Sequence, residues 1–171
     1  AAASNSVTFM APSKTFNMPG VQSSFAIVPD DTLRARFQQF MEAGEFCEGH
    51  LFAYIGCKAA FEHGEEWLNQ LLAYIQGNID FTESYLRQHI LAIGMIRPQA
   101  SFLVFLDCRQ LGLEQEALER LFADKARLAL NTGTTFGEPG RGFMRLNVGC
   151  PRAALKQALD QLAEAVAGLK G

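Results

Sequence analysis

Apolar residues recur every three or four positions through the middle of the chain, and this spacing predicts one long amphipathic helix from Glu65 to about His89. A helix of about 25 residues would be about 37 Å long at 1.5 Å per residue. This length exceeds what a compact small domain needs. We therefore expect the helix to link two bodies. Its apolar positions are Trp67, Leu68, Leu71, Leu72, Ile75, Ile79 and Leu86, followed by Ile90.

The segment before this helix shows a mixed pattern of short strands and helices. Two short strands are predicted, and they have no evident sheet to join, although isolated strand pairs are only marginally stable. A helix capped by Asp30 or Asp31 follows, with Leu33, Phe37 and Phe40 on one face and Gly44 near its end. The predicted strands are Val7–Met10 and Gln22–Val28, and a further helix is predicted over Leu51–Glu62.

After the long helix the pattern changes to alternating strands and helices, which predicts an α+β module from about Gly94 onward. Its most unusual stretch is the Gly/Thr-rich loop "NTGTTFGEPGRG". Pro151 is suited to the first turn of the last helix. The predicted elements are a β-hairpin of Gly94–Arg97 and Ser101–Asp107, a helix over Glu114–Ala123, a short strand Arg127–Leu130, the loop Asn131–Gly142, a strand Phe143–Val148 and a C-terminal helix.

Composition narrows the possible functions. The chain has 171 residues, 49% of them apolar and 19% charged, which is enough for a buried core. Its formal net charge is −3 and it has no run of five Lys or Arg residues, which argues against nucleic acid and against a polybasic membrane surface. No segment approaches the roughly 20 apolar residues that span a bilayer. The start "AAASNSVTF" lacks the features of a signal peptide.

The four cysteines and three histidines show neither CxxC nor HxxxH spacing, so no metal site is predicted. We interpret Cys47, Cys57, Cys108 and Cys150 as free thiols in a reducing cytosol, which predicts a cytoplasmic protein.

Two basic residues stand out. Lys14 follows a predicted strand in a Pro-Ser-Lys-Thr turn, and it is either a solvated lysine or one held close to a ligand carbonyl. Arg145 lies in the predicted strand of "GFMRLNVGCPR". It is either an edge-strand arginine whose head reaches solvent or a planar fork that binds a carboxylate.

Four segments carry a family resemblance over essentially the whole chain: "MAPSKTFNMPG", "FAYIGCKAAFEHGEEWL", "SFLVFLDC" and "GFMRLNVGCPR". In this order they resemble the C-terminal part of a fold-type I, pyridoxal-phosphate-dependent enzyme of the class I/II aminotransferase superfamily. The resemblance is greatest to the cystathionine β-lyase, or C–S lyase, branch. It implies an α/β fold class with an α+β small domain. Residues 1–63 would be a remnant of the large domain, 64–92 a linking helix and 93–171 the small domain.

The resemblance also implies roles for particular residues. Lys14 matches the lysine that binds pyridoxal 5′-phosphate and moves the substrate's α-proton, and Arg145 matches the arginine that grips the substrate α-carboxylate. The stretch from His50 to Tyr54 matches a region that approaches the neighbouring subunit in dimers of the family, which predicts a homodimer. Two positions that often contact the phosphate in aminotransferases are Ala11 and Gln22 here, which favours the C–S lyase branch.

The departures leave the phosphate contacts open, with Ser13 as a weak candidate. Family members are more than twice this length, and most of their cofactor contacts lie upstream of the lysine. We therefore expect a C-terminal segment that is inactive alone. The implied reaction is α,β-elimination from a sulfur amino acid, which yields a thiol, pyruvate and ammonia. The alternatives are a class I/II aminotransferase, and a non-catalytic α+β module or truncation product without cofactor.

Overall fold

The computed structural model describes residues 5–46 and 49–170. The chain divides into two compact units, Ala1–Leu71 and Leu72–Gly171. The boundary between them falls within the longest helix. The division into a domain remnant, a linking helix and a small domain remains a prediction.

The first unit contains a two-stranded antiparallel sheet and helices. Strands β1 (Thr8–Met10) and β2 (Phe25–Ile27) pair with each other, so the two predicted strands are partners. The four-residue helix α1 (Pro12–Thr15) follows β1 directly. The remaining helices here are α2 (Asp31–Ala43), α3 (Leu51–His63) and the start of α4 (Glu65–His89).

Local capping explains where helix α2 begins. The Asp30 side chain accepts a hydrogen bond from the Leu33 backbone N–H at 2.8 Å, which satisfies one of the free N–H groups of the first turn. Of the two predicted caps, Asp30 is the one that occurs. The observed bounds of α3 and α4 also confirm the predicted helices to within one residue.

The first unit leaves much of its apolar surface in contact with solvent. Helix α2 has no buried residue, and α3 buries only Ala53 although its sequence is strongly apolar. Phe16 packs edge-on against Phe61, with ring centroids 5.5 Å apart, and Phe61 is still 59% exposed. Other large exposed apolar side chains here include Phe9, Phe40, Leu51, Phe52, Tyr54 and Ile55.

The second unit is built on a four-stranded antiparallel sheet with strand order β3-β4-β6-β5. The predicted hairpin of the first two strands is confirmed. Alternation places one face of β4 and β6 in the core through Val104, Leu106, Met144 and Leu146, which are at most 5% exposed. The strands are β3 (Gly94–Ile96), β4 (Leu103–Asp107), β5 (Asn131–Thr132) and β6 (Phe143–Asn147).

Helix α4 buries Ile75, Ile79 and Leu86 in this unit, and two further helices complete the core. Helix α5 (Gln115–Arg120) continues into a π-helical turn over Leu121–Lys125, and α6 (Arg152–Ala167) ends the unit. The predicted C-terminal helix is confirmed, and one apolar stripe along it is nearly inaccessible to solvent. The core side chains from these helices are Leu118, Leu121, Phe122, Leu155, Leu159, Leu162 and Val166.

The predicted strand Arg127–Leu130 is wrong. Arg127 adopts a left-handed conformation with φ of 56°, which interrupts an extended chain. The Leu128 N–H then donates to the Phe122 carbonyl at 2.8 Å, so this segment bonds back to the preceding helical turn rather than to a strand. The strand β5 begins four residues later than predicted, inside the stretch that we predicted to be a loop.

Candidate functional site

Arg145 occupies the middle of β6, which is an interior strand between β4 and β5. The interpretation of Arg145 as an edge-strand residue is therefore wrong. Its register partners are Phe105 on β4 and Asn131 on β5, directly across on either side. Because side chains alternate along a strand, these three residues lie on the face opposite the buried core.

Two side chains hold the Arg145 guanidinium in place. Its Nη2 donates to Asn131 Oδ1 at 2.8 Å. Its central carbon lies 4.6 Å from the centroid of the Phe136 ring, a cation–π distance. The Phe136 ring in turn meets Phe105 edge-on, with centroids 5.6 Å apart. These contacts fix the plane of the guanidinium on the sheet.

One donor of this guanidinium has no hydrogen-bond partner in the part of the chain that the structure describes. Arg145 Nε is buried and makes no hydrogen bond within the described residues. An unsatisfied buried donor costs about 1–3 kcal/mol, so an acceptor that reached it would recover that energy. A carboxylate suits this position because its two oxygens match the planar fork of arginine.

Lys14 lies in helix α1, immediately after β1. The turn is closed by backbone hydrogen bonds from Phe16 N to Pro12 O and from Met18 N to Ser13 O, both 2.9 Å long. The Lys14 side chain is exposed, and within the described residues it forms no ion pair. Ser13 is only 9% exposed. The turn therefore presents the amine outward and turns the serine inward.

Hydrogen bonds within the first unit hold the segment from His50 to Tyr54 in place. His50 caps helix α3, with Nδ1 accepting from the Ala53 N–H at 3.2 Å, and its Nε2 lies 2.8 Å from the Val21 carbonyl oxygen. The second contact requires a donor, so the proton is on Nε2. Tyr54 Oη accepts from the Gly49 N–H at 3.1 Å. The predicted approach of this segment to a neighbouring subunit remains a prediction.

Cys57, Cys108 and Cys150 are free thiols, as expected, and Cys47 lies outside the described residues. Burial, with a smaller contribution from Asp107, raises the pKa of the Cys108 thiol to about 12. Among the described residues, no cluster of three His, Cys, Asp or Glu side chains is arranged to hold a metal ion. Within the same residues, no helix is both long and apolar enough to cross a bilayer.

The structure thus groups the candidate residues within each unit. Ser13 and Lys14 are neighbours in the first unit, and Arg145 has its partners in the second unit. Asn131 and Phe136 were not predicted as site residues from the sequence. A signal for them exists, because both belong to the Gly/Thr-rich loop that precedes the strand of Arg145.

Comparison with known proteins gives the family context. Cystathionine β-lyase PatB of Bacillus subtilis is 37% identical over 161 residues, which is 94% of this chain and 42% of PatB. Two curated aminotransferases match less well, at 22% and 23% identity. No model of a protein family matches the chain.

Solved structures agree with the sequence comparison. A pyridoxal-phosphate-bound putative aminotransferase from Clostridium difficile superposes with a TM-score of 0.92 at 34% identity, over 95% of this chain and 42% of that protein. Cystalysin from Treponema denticola, which contains pyridoxal 5′-phosphate, superposes with a TM-score of 0.93 at 27% identity, over 98% of this chain and 42% of cystalysin.

The chain therefore spans about two fifths of the length of these relatives, and its mixed α/β fold matches their C-terminal part. In sequence and fold, the chain is therefore similar to the C-terminal part of cystathionine β-lyases and related pyridoxal-phosphate-dependent aminotransferases.

Proposed function

We propose that this chain is the C-terminal segment of a pyridoxal-phosphate-dependent C–S β-lyase that acts on a sulfur amino acid of the cystathionine type. The observation that carries the proposal is Arg145, whose buried Nε has no hydrogen-bond partner among the described residues while Asn131 and Phe136 fix the rest of its guanidinium. A substrate α-carboxylate would supply the missing acceptor.

The residues present fit the cofactor at one point of attachment. The amine of Lys14 is exposed and carries no ion pair within the described residues, so it is accessible to the cofactor aldehyde. Ser13 remains the weaker candidate, for the phosphate, because little of it is exposed. When bound, pyridoxal phosphate supplies an electron sink for the carbanion formed at the substrate Cα.

Arg145 and Lys14 would bind the substrate and transfer its α-proton. Arg145 binds the α-carboxylate and so orients the substrate about its Cα. Lys14 accepts the α-proton at Nζ. The charge left on Cα would expel the thiolate from Cβ, and the thiolate would take up a proton to give the thiol. The remaining enamine would be hydrolysed by water to pyruvate and ammonia.

A lyase is favoured over an aminotransferase because the lyase relative is 37% identical and the curated aminotransferases only 22–23%. Ala11 and Gln22, which replace common phosphate contacts of aminotransferases, point the same way. Aminotransferase activity stays the second candidate. A non-catalytic module without cofactor is the third.

We also propose that the protein is a cytoplasmic homodimer. The His50–Tyr54 segment is the candidate subunit contact. Exposed Leu51 and Phe52 at 67% and 76% support a role for this surface in binding protein. The exposed apolar side chains of the first unit also support a longer parent protein that covers them.

The natural gene product provides the test. Lys14→Ala should abolish both the visible absorbance of bound cofactor and β-elimination from cystathionine. The matched change Lys58→Ala, at an exposed lysine of α3, should alter neither. Arg145→Lys should leave the absorbance intact and lower kcat/KM roughly 30-fold, the loss expected for about 2 kcal/mol of charge-assisted hydrogen bonding.

Product analysis separates the candidates. Pyruvate with free thiol identifies the lyase, whereas transfer of the amino group to an added keto acid identifies an aminotransferase. If Lys14→Ala retained cofactor absorbance and activity, the proposal would be refuted. The 171-residue chain alone should give no measurable elimination with added cofactor.

A further inference from the structure

The Arg145 site depends on a segment with little regular secondary structure. Both braces, Asn131 and Phe136, come from residues 131–142, here called the brace loop. The brace loop begins with the two-residue strand β5, passes through two short 3-10 turns and ends at Gly142, whose carbonyl accepts from the Cys108 N–H at 2.9 Å. Side-chain contacts to a neighbouring helix add to these bonds.

Gln115, at the start of helix α5, bonds to both ends of the brace loop. Its Nε2 donates to Thr132 Oγ1 at 2.7 Å, one residue after Asn131. Its Oε1 accepts from the Gly142 backbone N–H at 2.8 Å. One side chain therefore bridges two positions that are ten residues apart in sequence. The orientation of the amide is determined, because a backbone N–H can only donate.

Two further contacts fix this bridge. Glu119, one turn along α5, accepts from Gln115 Nε2 at 3.1 Å. Thr132 Oγ1 also lies 3.0 Å from Thr134 Oγ1. Hydrogen bonds from Thr132 and then Gln115 lower the pKa of Glu119, which keeps this acceptor ionised.

The backbone of the brace loop is built to close on itself. A Cβ at Gly133 would lie 2.1 Å from the Gly140 carbonyl oxygen, and one at Gly140 would lie 2.0 Å from that of Gly133. Only glycine at both positions allows the two backbone segments of the loop to approach so closely. The loop backbone therefore closes where Gly133 meets Gly140, and Gln115 bridges the adjoining residues Thr132 and Gly142.

We propose that Gln115 is a positioning residue, which closes the brace loop onto α5 and thereby holds Asn131 and Phe136 against the carboxylate-binding guanidinium of Arg145. The proposal rests on the proposed function, since it assumes that Arg145 binds a carboxylate. Thr132 transmits the effect, because it is bonded to Gln115 and adjacent to Asn131.

The test uses the 171-residue chain and acetate as the probe. Acetate is titrated while the Arg145 Nε–H signal is followed by NMR, and the signal is assigned by its loss in Arg145→Lys. Gln115→Met keeps the length of the side chain and removes its hydrogen bonds. We expect it to weaken acetate binding roughly five- to tenfold, as the loss of about one net hydrogen bond implies. Exchange of the Nε–H with water should also accelerate.

Matched variants isolate the hydrogen bonds. Thr132→Val should weaken acetate binding as Gln115→Met does, and Thr132→Ser, which retains the hydroxyl, should restore it to within about twofold. Gln157→Met, at an exposed position of α6, should change nothing. If Gln115→Met does not fold, the Thr132 pair decides alone, because it alters only the hydroxyl or one methyl group.

Different results would refute the carboxylate site at Arg145 and the positioning role of Gln115. If acetate moves the Arg145 signal in the wild type but all variants bind equally well, the positioning role of Gln115 is overturned and the carboxylate site stands. If acetate does not move the Arg145 signal at all, the carboxylate site fails, and the role of Gln115 fails with it.

Discussion

Asn78, on helix α4, should be the most sensitive polar position for the stability of the second unit. It is fully buried, at 0% exposure. Its Nδ2 donates to the carbonyls of Val148 and Cys150 at 2.7 and 2.9 Å, and its Oδ1 accepts from Arg152 Nε at 2.6 Å. One side chain thus ties α4 to the segment that connects β6 with α6.

Replacing Asn78 by leucine keeps the branching and the number of side-chain heavy atoms and removes all three hydrogen bonds. Each neutral bond is worth about 1 kcal/mol and the bond to the charged arginine about 1.5–3 kcal/mol. Burial of the leucine side chain returns about 1 kcal/mol relative to the amide. The net loss should be about 3 kcal/mol of unfolding free energy, a large part of what an ordinary domain has.

Amide hydrogen exchange in β4 and β6 measures this loss directly, because core strands exchange through the largest opening of their unit. Asn69→Leu, at an exposed position of the same helix, is the matched control and should change the exchange free energy by less than about 0.5 kcal/mol. A loss below about 1 kcal/mol for Asn78→Leu would refute the reasoning, because the three bonds would then contribute almost nothing.

Two further predictions concern pH and packing. Burial and the hydrogen bond to Asp160 raise the pKa of Tyr85 from 10.0 to about 12. Tyr85 therefore loses its proton at a lower pH in the unfolded chain than in the folded protein, and the free energy of unfolding should fall as pH rises from 10 to about 12. Tyrosinate absorbance should show a transition at high pH that is absent in Tyr85→Phe. Gly133→Ala should cost about 1–3 kcal/mol in urea unfolding, because the new Cβ would lie 2.1 Å from the Gly140 oxygen. An unchanged urea midpoint would contradict the closed loop, and Gly168→Ala, with nothing within 4 Å, is its control.

The helices were predictable because their signals are local. The period of apolar residues placed α4 within a residue of its observed bounds, and Asp30 marked the start of α2. The strand at 127–130 was mispredicted for a tertiary reason. Arg127 adopts a left-handed conformation, and the next residue bonds back to the preceding helical turn. The amino-acid composition of the segment indicates neither feature.

The sequence by itself singled out Lys14 and Arg145, because short motifs surround each of them and resemble those of a known family. It could not decide whether Arg145 lay at an edge or in the interior of a sheet. Strand order and register depend on pairing between distant segments, which a local pattern does not encode.

Only the tertiary structure revealed what surrounds the arginine. Asn131 is 14 residues away in sequence, and Gln115 bonds to Thr132 and Gly142 across 17 and 27 residues. None of these residues is unusual on its own. Their importance arises because the antiparallel register of β5 and β6 and the closed backbone of residues 131–142 bring their polar atoms within hydrogen-bonding distance.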